Sequence, residues 1–553
     1  MISPIGLRRQ PASGMISGTF QGDYAEDDVT ETARTGAGAV VAALEERGVE
    51  YLFGVPGHGA YPIYGALTKG STVKPIIGRN EQGVSFMADA WSWVTNRVAV
   101  ATSVPECGFT NSSTGVWQAT EDGERMLFIL EHDPMHRDVA NAVALHYAQA
   151  NTAEEIRPAF NRLMDLLETG RPGGAVLEIP QRVLVGPAER DGALPGRSKH
   201  AAVDAGTLDE AASLLSKAQR PVIVAGRPIV AAGAEAALLQ LAEKLQAPVF
   251  VDRNAKGALP EDHPLALGYT WSPTSIAEDL LRDADVVLAI GPREHAATGK
   301  RSPEQIGQQL IHLDWDAAPQ DAEQPPARLT LTGHVGDALN DLAELVKPRQ
   351  QPAFPTAALD AVREAPWRYA EGRVPWALDF FRNMQEALPR DVLFFTDSMV
   401  GLWIFRLLKA YEGRSYRFGW GNGSGTLGYG FPGGIGAKLA EPNREVVCIA
   451  GDGAALYNPQ ELATMRLYGL KVTFIVCNDD CYGAVRDNLI EGYGAPIGHE
   501  LVNPDFMKLA DAFGMRGIRA DTPAGIGDAL RTALAGSEST LIEVPLELRT
   551  GRY

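Results

Sequence analysis

Two acidic stretches of the chain could do chemistry with a charged ligand. The first is Gly451-Asp452-Gly453, which closes the apolar run 445–450. In open α/β sheets, ligands bind beyond the carboxyl ends of the strands. Glycines there let a phosphate approach the backbone, and N–H groups at a helix start attract anions. A carboxylate beside phosphates calls for an intervening cation. Magnesium suits, because it takes one or two carboxylates together with phosphate oxygens and water. Alone, Gly-Asp-Gly is an ordinary turn. The second stretch changes that reading. The apolar run 472–477 ends in Asn478-Asp479-Asp480, and Asp479 follows Asp452 by 27 residues, room for a helix and a strand. Neighbouring parallel strands would bring both acids to one edge. A third acid, Glu81, opens a helical segment in Arg79-Asn80-Glu81. A helix dipole favours an acid in the first turn, so Glu81 on its own has a bland explanation too.

These residues need strands to carry them. Apolar runs at 51–53, 75–77, 98–102 and 175–179 read as strands of a first block. Runs at 221–225, 248–251, 284–290 and 310–313 belong to a second, and 392–396, 445–450, 472–477 and 540–544 to a third. Helical segments begin at Gly36, Glu81, Ala234 and Asn458. Strands alternating with helices imply parallel βαβ units. The expected fold is α/β, with three successive doubly wound parallel-sheet domains. The boundaries are an N-terminal arm 1–32, then domains 33–190, 205–347 and 365–553. Polar stretches near 186–206 and the Pro/Gln-rich 347–358 read as linkers. No short tandem repeat is visible.

Together, these motifs resemble the thiamine-diphosphate enzymes of the acetolactate synthase, benzoylformate decarboxylase and benzaldehyde lyase type. The resemblance covers about residues 33–550 and makes the three domains pyrimidine-binding, central and diphosphate-binding. It rests on residues 451–483, on the Gly-rich 421–436 and on 78–90. It implies magnesium held by Asp452, Asp479 and the carbonyl of Cys481, with Gly451, Gly453 and Ala454 beside the diphosphate. Asp479 stands where relatives carry Asn, which adds a negative charge. Leu427 matches the apolar residue that props the cofactor into a bent shape, and the Gly425 carbonyl would accept from its 4′-amino group. Ser398 is a diphosphate donor. Glu81 is the acid that meets N1′ of the aminopyrimidine, with Asn80 where His is usual. Burial would raise the pKa of such an acid and keep its proton at hand.

Two loops of the first domain would face the substrate. In 54–62, His58 follows Pro-Gly, where it could orient a carboxylate or move a proton. In 103–111, Glu106 and Cys107 replace small residues of relatives, and Cys107 reads as a wall residue. A Gln-Glu-x-Asp segment of relatives is missing from 130–155, near His132 and His136. In the central domain, 290–300 resembles a segment that holds FAD in some relatives. A structural role is the expectation there.

Composition narrows the classes. Lys and Arg number 50 against 69 Asp and Glu, so the net charge of −19 argues against a nucleic-acid partner. The four cysteines make no disulfide framework or zinc spacing, which fits a reducing, cytoplasmic setting. No apolar run reaches the ~18 residues of a membrane span. Residues 1–28 have no apolar run behind their two arginines, so no signal peptide is expected. The resemblance implies a carboligase or lyase, a homodimer or homotetramer, that decarboxylates a 2-oxo acid and joins the product to an aldehyde or ketone. The alternatives are a simple decarboxylase and, from another class, a non-catalytic nucleotide-binding scaffold.

Overall fold

The computed structural model describes residues 35–67, 70–188, 198–269, 275–291, 309–316, 327–397, 401–413, 415–419 and 425–545. Among them lie three six-stranded parallel sheets with flanking helices. The first holds β1 (Tyr51–Gly54), β2 (Lys74–Ile77), β3 (Ala99–Thr102), β4 (Met126–Glu131), β5 (His146–Gln149) and β6 (Gly174–Ile179), in the order β2-β1-β3-β4-β6-β5. The second holds β7 (Pro221–Ala225), β8 (Val249–Val251), β9 (Ala266–Tyr269), β10 (Val286–Ile290), β11 (Gln309–Asp314) and β12 (Leu329–Thr332), ordered β12-β11-β10-β7-β8-β9. The third holds β13 (Leu393–Thr396), β14 (Tyr416–Phe418), β15 (Val446–Gly451), β16 (Thr473–Asn478), β17 (Arg516–Arg519) and β18 (Thr540–Pro545), ordered β14-β13-β15-β16-β18-β17.

The first and third sheets therefore share one topology, a structural repeat with no trace at the level of short sequence repeats. The central sheet has the strand order of dinucleotide-binding folds. The turn after β7 reads Gly226-Arg227-Pro228, however, and Arg227 is buried in an ion pair with Glu124 of the first domain. Of the 290–300 segment, residues from 292 on lie outside the described residues.

The strands expected from apolar runs are all present. Six more complete the sheets: β4, β5, β9, β12, β14 and β17. The stretch 347–358 is not a free linker. Helix Thr356–Arg373 starts inside it, and Ala353, Phe354, Leu359 and Val362 are buried against central-domain residues such as Phe250 and Leu280. Their apolar side chains are masked in the sequence by the Pro and Gln around them.

The first and third domains share one core. Helix Glu81–Thr95 lies on helix Gly430–Ala440, so closely that a Cβ on Gly436 would sit 2.1 Å from the Met87 carbonyl. Phe86 meets Tyr429 at 5.2 Å between ring centres, and Trp93 meets Phe395 at 5.6 Å. Beneath this contact is a fully buried ionic junction. Arg417 of β14 reaches Asp89 (3.0 Å), Asp122 (2.9 Å) and Glu124 (3.5 Å). The Tyr429 hydroxyl donates to Asp89 at 2.6 Å, and Arg227 pairs with Glu124 at 2.6 Å. All three domains meet at these side chains.

Burial pushes the Glu124 carboxyl up to about 7, against the pull of Arg227 and Arg417. A carboxyl raised in the folded state favours folding while it holds its proton. That contribution is complete below the ordinary Glu value of 4.5 and is lost as pH climbs through about 7. Between pH 5 and 8 the wild type should therefore lose stability relative to Glu124→Gln, which keeps an acceptor for Arg227 but cannot ionise. Denaturant midpoints measured across this range give the difference, and parallel curves would show that Glu124 carries no such linkage.

Candidate functional site

β15 is buried throughout and delivers Gly451 to the carboxyl edge of its sheet, where the short helix Asp452–Ala455 begins. Register pairs Gly451 with Cys477 of β16, so Asp452 and the Asn478-Asp479-Asp480 turn emerge side by side. Asp452 is 2% exposed. Its Oδ1 accepts the Gly453 N–H at 2.8 Å. Its Oδ2 accepts the Cys481 N–H at 3.3 Å and an Asn503 amide N–H at 2.6 Å. Asn478 donates to Glu543 of β18 at 2.9 Å and accepts the Asp480 N–H at 3.2 Å. Asp480 turns the chain with φ at +48°. Asn503 shares its amide protons among Asp452, Asn478 (2.9 Å) and Asp480 (3.0 Å), which staples the turn to the strand end.

The electrostatics of this edge favour a cation. Burial pushes the Asp479 carboxyl up to about 7, and the charge of Asp452 adds to the push while Arg486 opposes it. Burial raises Asp452 as well, against the bonds from Gly453, Asn503 and Cys481. One Asp479 oxygen is buried with no hydrogen-bond partner. Two neighbouring acids, an orphaned oxygen and an adjacent backbone carbonyl are an oxygen donor set that suits a hard divalent ion. Among the described residues no group of three or more His, Cys, Asp or Glu residues forms a metal nest, so any cation here depends on that carbonyl and on ligand oxygens. The cysteines are free, and three of them are buried.

Next to the acids runs the Gly-rich loop. Residues 420–424, and Ser398 with its neighbours 399–400, lie outside the described residues. Gly425 has φ at +60° and is exposed, and Leu427 is half-buried against the shared core. Gly428 has φ at +84°, and a Cβ there would meet Tyr457 at 2.4 Å. Asn458 donates to the Gly428 carbonyl at 3.0 Å and to Gln82 at 3.1 Å. The loop is thereby tied to the residue after Glu81.

Glu81 opens its helix behind Asn80, whose side chain caps the Gln82 N–H at 2.9 Å. It is half-buried, and its carboxylate accepts from Asn111 at 3.2 Å. Glu461 braces the approach, accepting the N–H groups of Arg79 (3.1 Å) and Asn80 (2.9 Å). Among the described residues no hydrogen bond or ion pair joins Glu81 to Asp452. The structure thus brings Asp452, Asp479 and Cys481 together and leaves Glu81 and His58 on the first domain. His58 is exposed, on a loop packed against the second substrate-facing loop, since Gly57 abuts Val104 and Gly59 abuts Pro105.

Sequence reasoning missed Asn503, Asn458 and Glu461. Nothing in the sequence marks Asn503, because its three partners lie on other elements. Asn458-Pro-Gln-Glu461 reads as a capping box. The structure instead sends both side chains across the domain boundary.

Comparison with known proteins agrees with the three-domain fold. Three family models match in order. They are "Thiamine pyrophosphate enzyme, N-terminal TPP binding domain" over residues 34–153, its central domain over 208–342 and its C-terminal TPP binding domain over 398–544. The chain is 30% identical to a "Probable 2-ketoarginine decarboxylase" of Pseudomonas aeruginosa, over 92% of this chain and 94% of that protein. It is 29% identical to a "Probable acetolactate synthase large subunit" of Methanocaldococcus jannaschii, over 93% and 92%. It is 27% identical to the acetolactate synthase isozyme 1 large subunit of Escherichia coli, over 94% and 95%.

The staple predicts a local effect. Asn503→Ala removes a donor from a buried carboxylate, a loss of about 1–3 kcal/mol. Amide exchange at Tyr482 and Leu501, whose N–H groups close this turn, should accelerate about tenfold or more, while strand β15 keeps its protection. Unchanged exchange at both amides would show that the turn stands without Asn503.

Proposed function

The chain belongs to the thiamine pyrophosphate enzyme family, and we propose that it is an acetolactate-synthase-like carboligase that decarboxylates a 2-oxo acid and passes the product to an acceptor carbonyl. The observation that carries this reading is the convergence of Asp452, Asp479 and Cys481 at one sheet edge, in a chain that also matches the two cofactor-binding domains. Asp452, Asp479 and the Cys481 carbonyl would hold magnesium. Gly451, Gly453 and Ala454 would lie against the diphosphate, Ser398 would donate to it, and Gly425 and Leu427 would meet the rings. Thiamine diphosphate, when bound, supplies the nucleophilic carbon and the electron sink. Glu81 would hold a proton at N1′, and His58 would orient the substrate carboxylate.

No hydrogen bond or ion pair joins Glu81 to Asp452 among the described residues, which fits a site shared between subunits of a homodimer or homotetramer. Free thiols fit a cytoplasmic setting. A second reading, simple decarboxylation, is favoured by the similarity to the decarboxylase relative. Both readings give the central domain a structural role.

One experiment tests these assignments together. Protein loaded with thiamine diphosphate and magnesium is assayed for CO2 release from a panel of 2-oxo acids, with and without aldehyde acceptors. Coupled product marks a carboligase, and aldehyde alone marks a decarboxylase. Glu81→Gln should retain cofactor yet lose about 10²–10⁴-fold in turnover, the range for one acid–base group. Asp452→Ala should lose cofactor retention itself, because a charged ligand beside the diphosphate is gone. No CO2 from any 2-oxo acid, or an Asp452→Ala protein that keeps its full cofactor complement, would overturn the reading.

A further inference from the structure

The carboxyl edge of the first sheet holds a polar cluster outside the roles assigned above. Glu178 of β6 and His136 are completely buried. Glu178 faces His136 Nδ1 at 2.9 Å, His132 Nδ1 at 2.9 Å and the Tyr147 hydroxyl at 2.6 Å. Burial works against a charge on Glu178, yet the bonds from His136, Tyr147 and His132 hold its carboxyl below the usual range. The other nitrogen of His136, Nε2, lies 2.8 Å from the backbone nitrogen of Glu106. A backbone N–H can only donate. Nε2 therefore accepts, and the ring proton of the neutral imidazole sits on Nδ1, facing Glu178. A relay runs from the core strand through the imidazole to one peptide N–H.

That peptide belongs to an unusual residue. Glu106 has φ at +59° and ψ at −108°, a backbone region that side chains disfavour. Strained residues persist only where their surroundings over-determine them, and they gather at functional sites. Glu106 and Cys107 are exposed, at the start of helix Cys107–Asp122, while Phe109 of the same turn packs on the His136 ring at 5.1 Å. His58 and Glu106 both act on the charge of Glu131, whose carboxyl burial pushes up, and Gly59 of the His58 loop abuts Pro105 and Glu131. Glu106 thus lies beside the His58 loop.

The geometry points to His136 as a positioning residue for the reaction: through its bond to the Glu106 N–H it fixes loop 103–111, so that the Glu106 side chain meets the substrate. This rests on the proposed reading, in which the 2-oxo acid lies at this edge. A merely structural histidine would fill space between Glu178 and Phe109 and leave the loop to itself.

The test uses full-length, cofactor-loaded protein and two readouts. His136→Leu removes the acceptor, and His136→Gln keeps an oxygen within reach of the same N–H. His136→Leu should raise KM for the 2-oxo acid about tenfold or more with a smaller change in kcat, and His136→Gln should restore KM to within a few-fold. The second readout needs no activity. Cys107 is the one exposed cysteine, so its alkylation rate reports the loop. The rate should shift several-fold in His136→Leu and return in His136→Gln. Glu106→Gly takes the same backbone without strain. It should keep the wild-type melting temperature while raising KM. Should His136→Leu fail to fold, His136→Phe, which keeps an aromatic ring against Phe109 but has no acceptor, takes its place in both readouts. Wild-type alkylation in both histidine variants, or an unchanged KM in Glu106→Gly, overturns the proposal. If the wild type releases no CO2 from any 2-oxo acid, the functional reading fails, and the alkylation rates alone report whether His136 positions the loop.

Discussion

Helices Glu81–Thr95 and Gly430–Ala440 touch backbone to backbone at Gly436, and this contact makes one body of two domains. Any side chain at position 436 would drive the helices apart. The Arg417 junction beneath could then no longer close, because Asp89 rides on the first helix and Arg417 on the edge strand of the third sheet. Buried ion pairs rarely add net stability, but breaking one costs about 3–5 kcal/mol because a charge is left alone. The junction therefore acts less as glue than as a gauge. It tolerates one arrangement of the three domains and penalises the rest. Gln82, two turns from Asp89, meets Asn458 of the third domain only in that arrangement.

Much of this was legible in the sequence. The interior strands announced themselves as apolar runs, since a parallel strand covered on both faces cannot alternate. Five of the six strands that escaped notice, β5, β9, β12, β14 and β17, are sheet edges. An edge strand is buried on fewer sides and carries polar residues such as Arg516, Arg519 and Thr330. β4 is the exception: Met126–Glu131 is interior and apolar, but a short apolar run does not tell strand from helix by itself. The acids of the third domain were legible for a different reason. Their chemistry demands fixed spacing along a strand–helix–strand unit, and spacing survives in sequence. Asn503 and the His136 relay were not, because they join residues that only the folded sheet brings together.

Two of the departures from the family pattern that the resemblance implies bear on the proposed site. By the resemblance, Asp479 adds an acid where relatives carry an amide, and one of its buried oxygens has no hydrogen-bond partner. Loop 103–111 adds Glu106 where relatives carry small residues. Under the proposed function the first would bear on the cation and the second on the substrate. A third, Asn80 where His is usual, stands next to Glu81, whose helix is braced on both sides by Glu461 and Asn111. A scaffold with no chemistry to perform would have no use for such bracing. The central domain, by contrast, has a dinucleotide-type strand order, but Arg227 at its first turn is engaged by Glu124.

The shared topology of the first and third sheets gives these departures a common logic. In the third, the residues after its third and fourth strands in the chain, β15 and β16, are Asp452 and Asn478-Asp479, and Glu543 of the last strand steadies Asn478. In the first, the segments after β3 and β4 carry Glu106 and His132, and Glu178 of the last strand steadies His132 and His136. The same sheet edge is thus dressed twice, with an acid on the last strand orienting what the fourth strand delivers. Acids concentrated at a strand end would suit a cation in one copy. In the other, imidazoles hydrogen-bond the buried acid and turn the edge into a polar wall. One backbone plan places polar groups at one level in both domains, and on the proposed roles the choice between carboxylate and imidazole would decide whether that level holds an ion or shapes a loop.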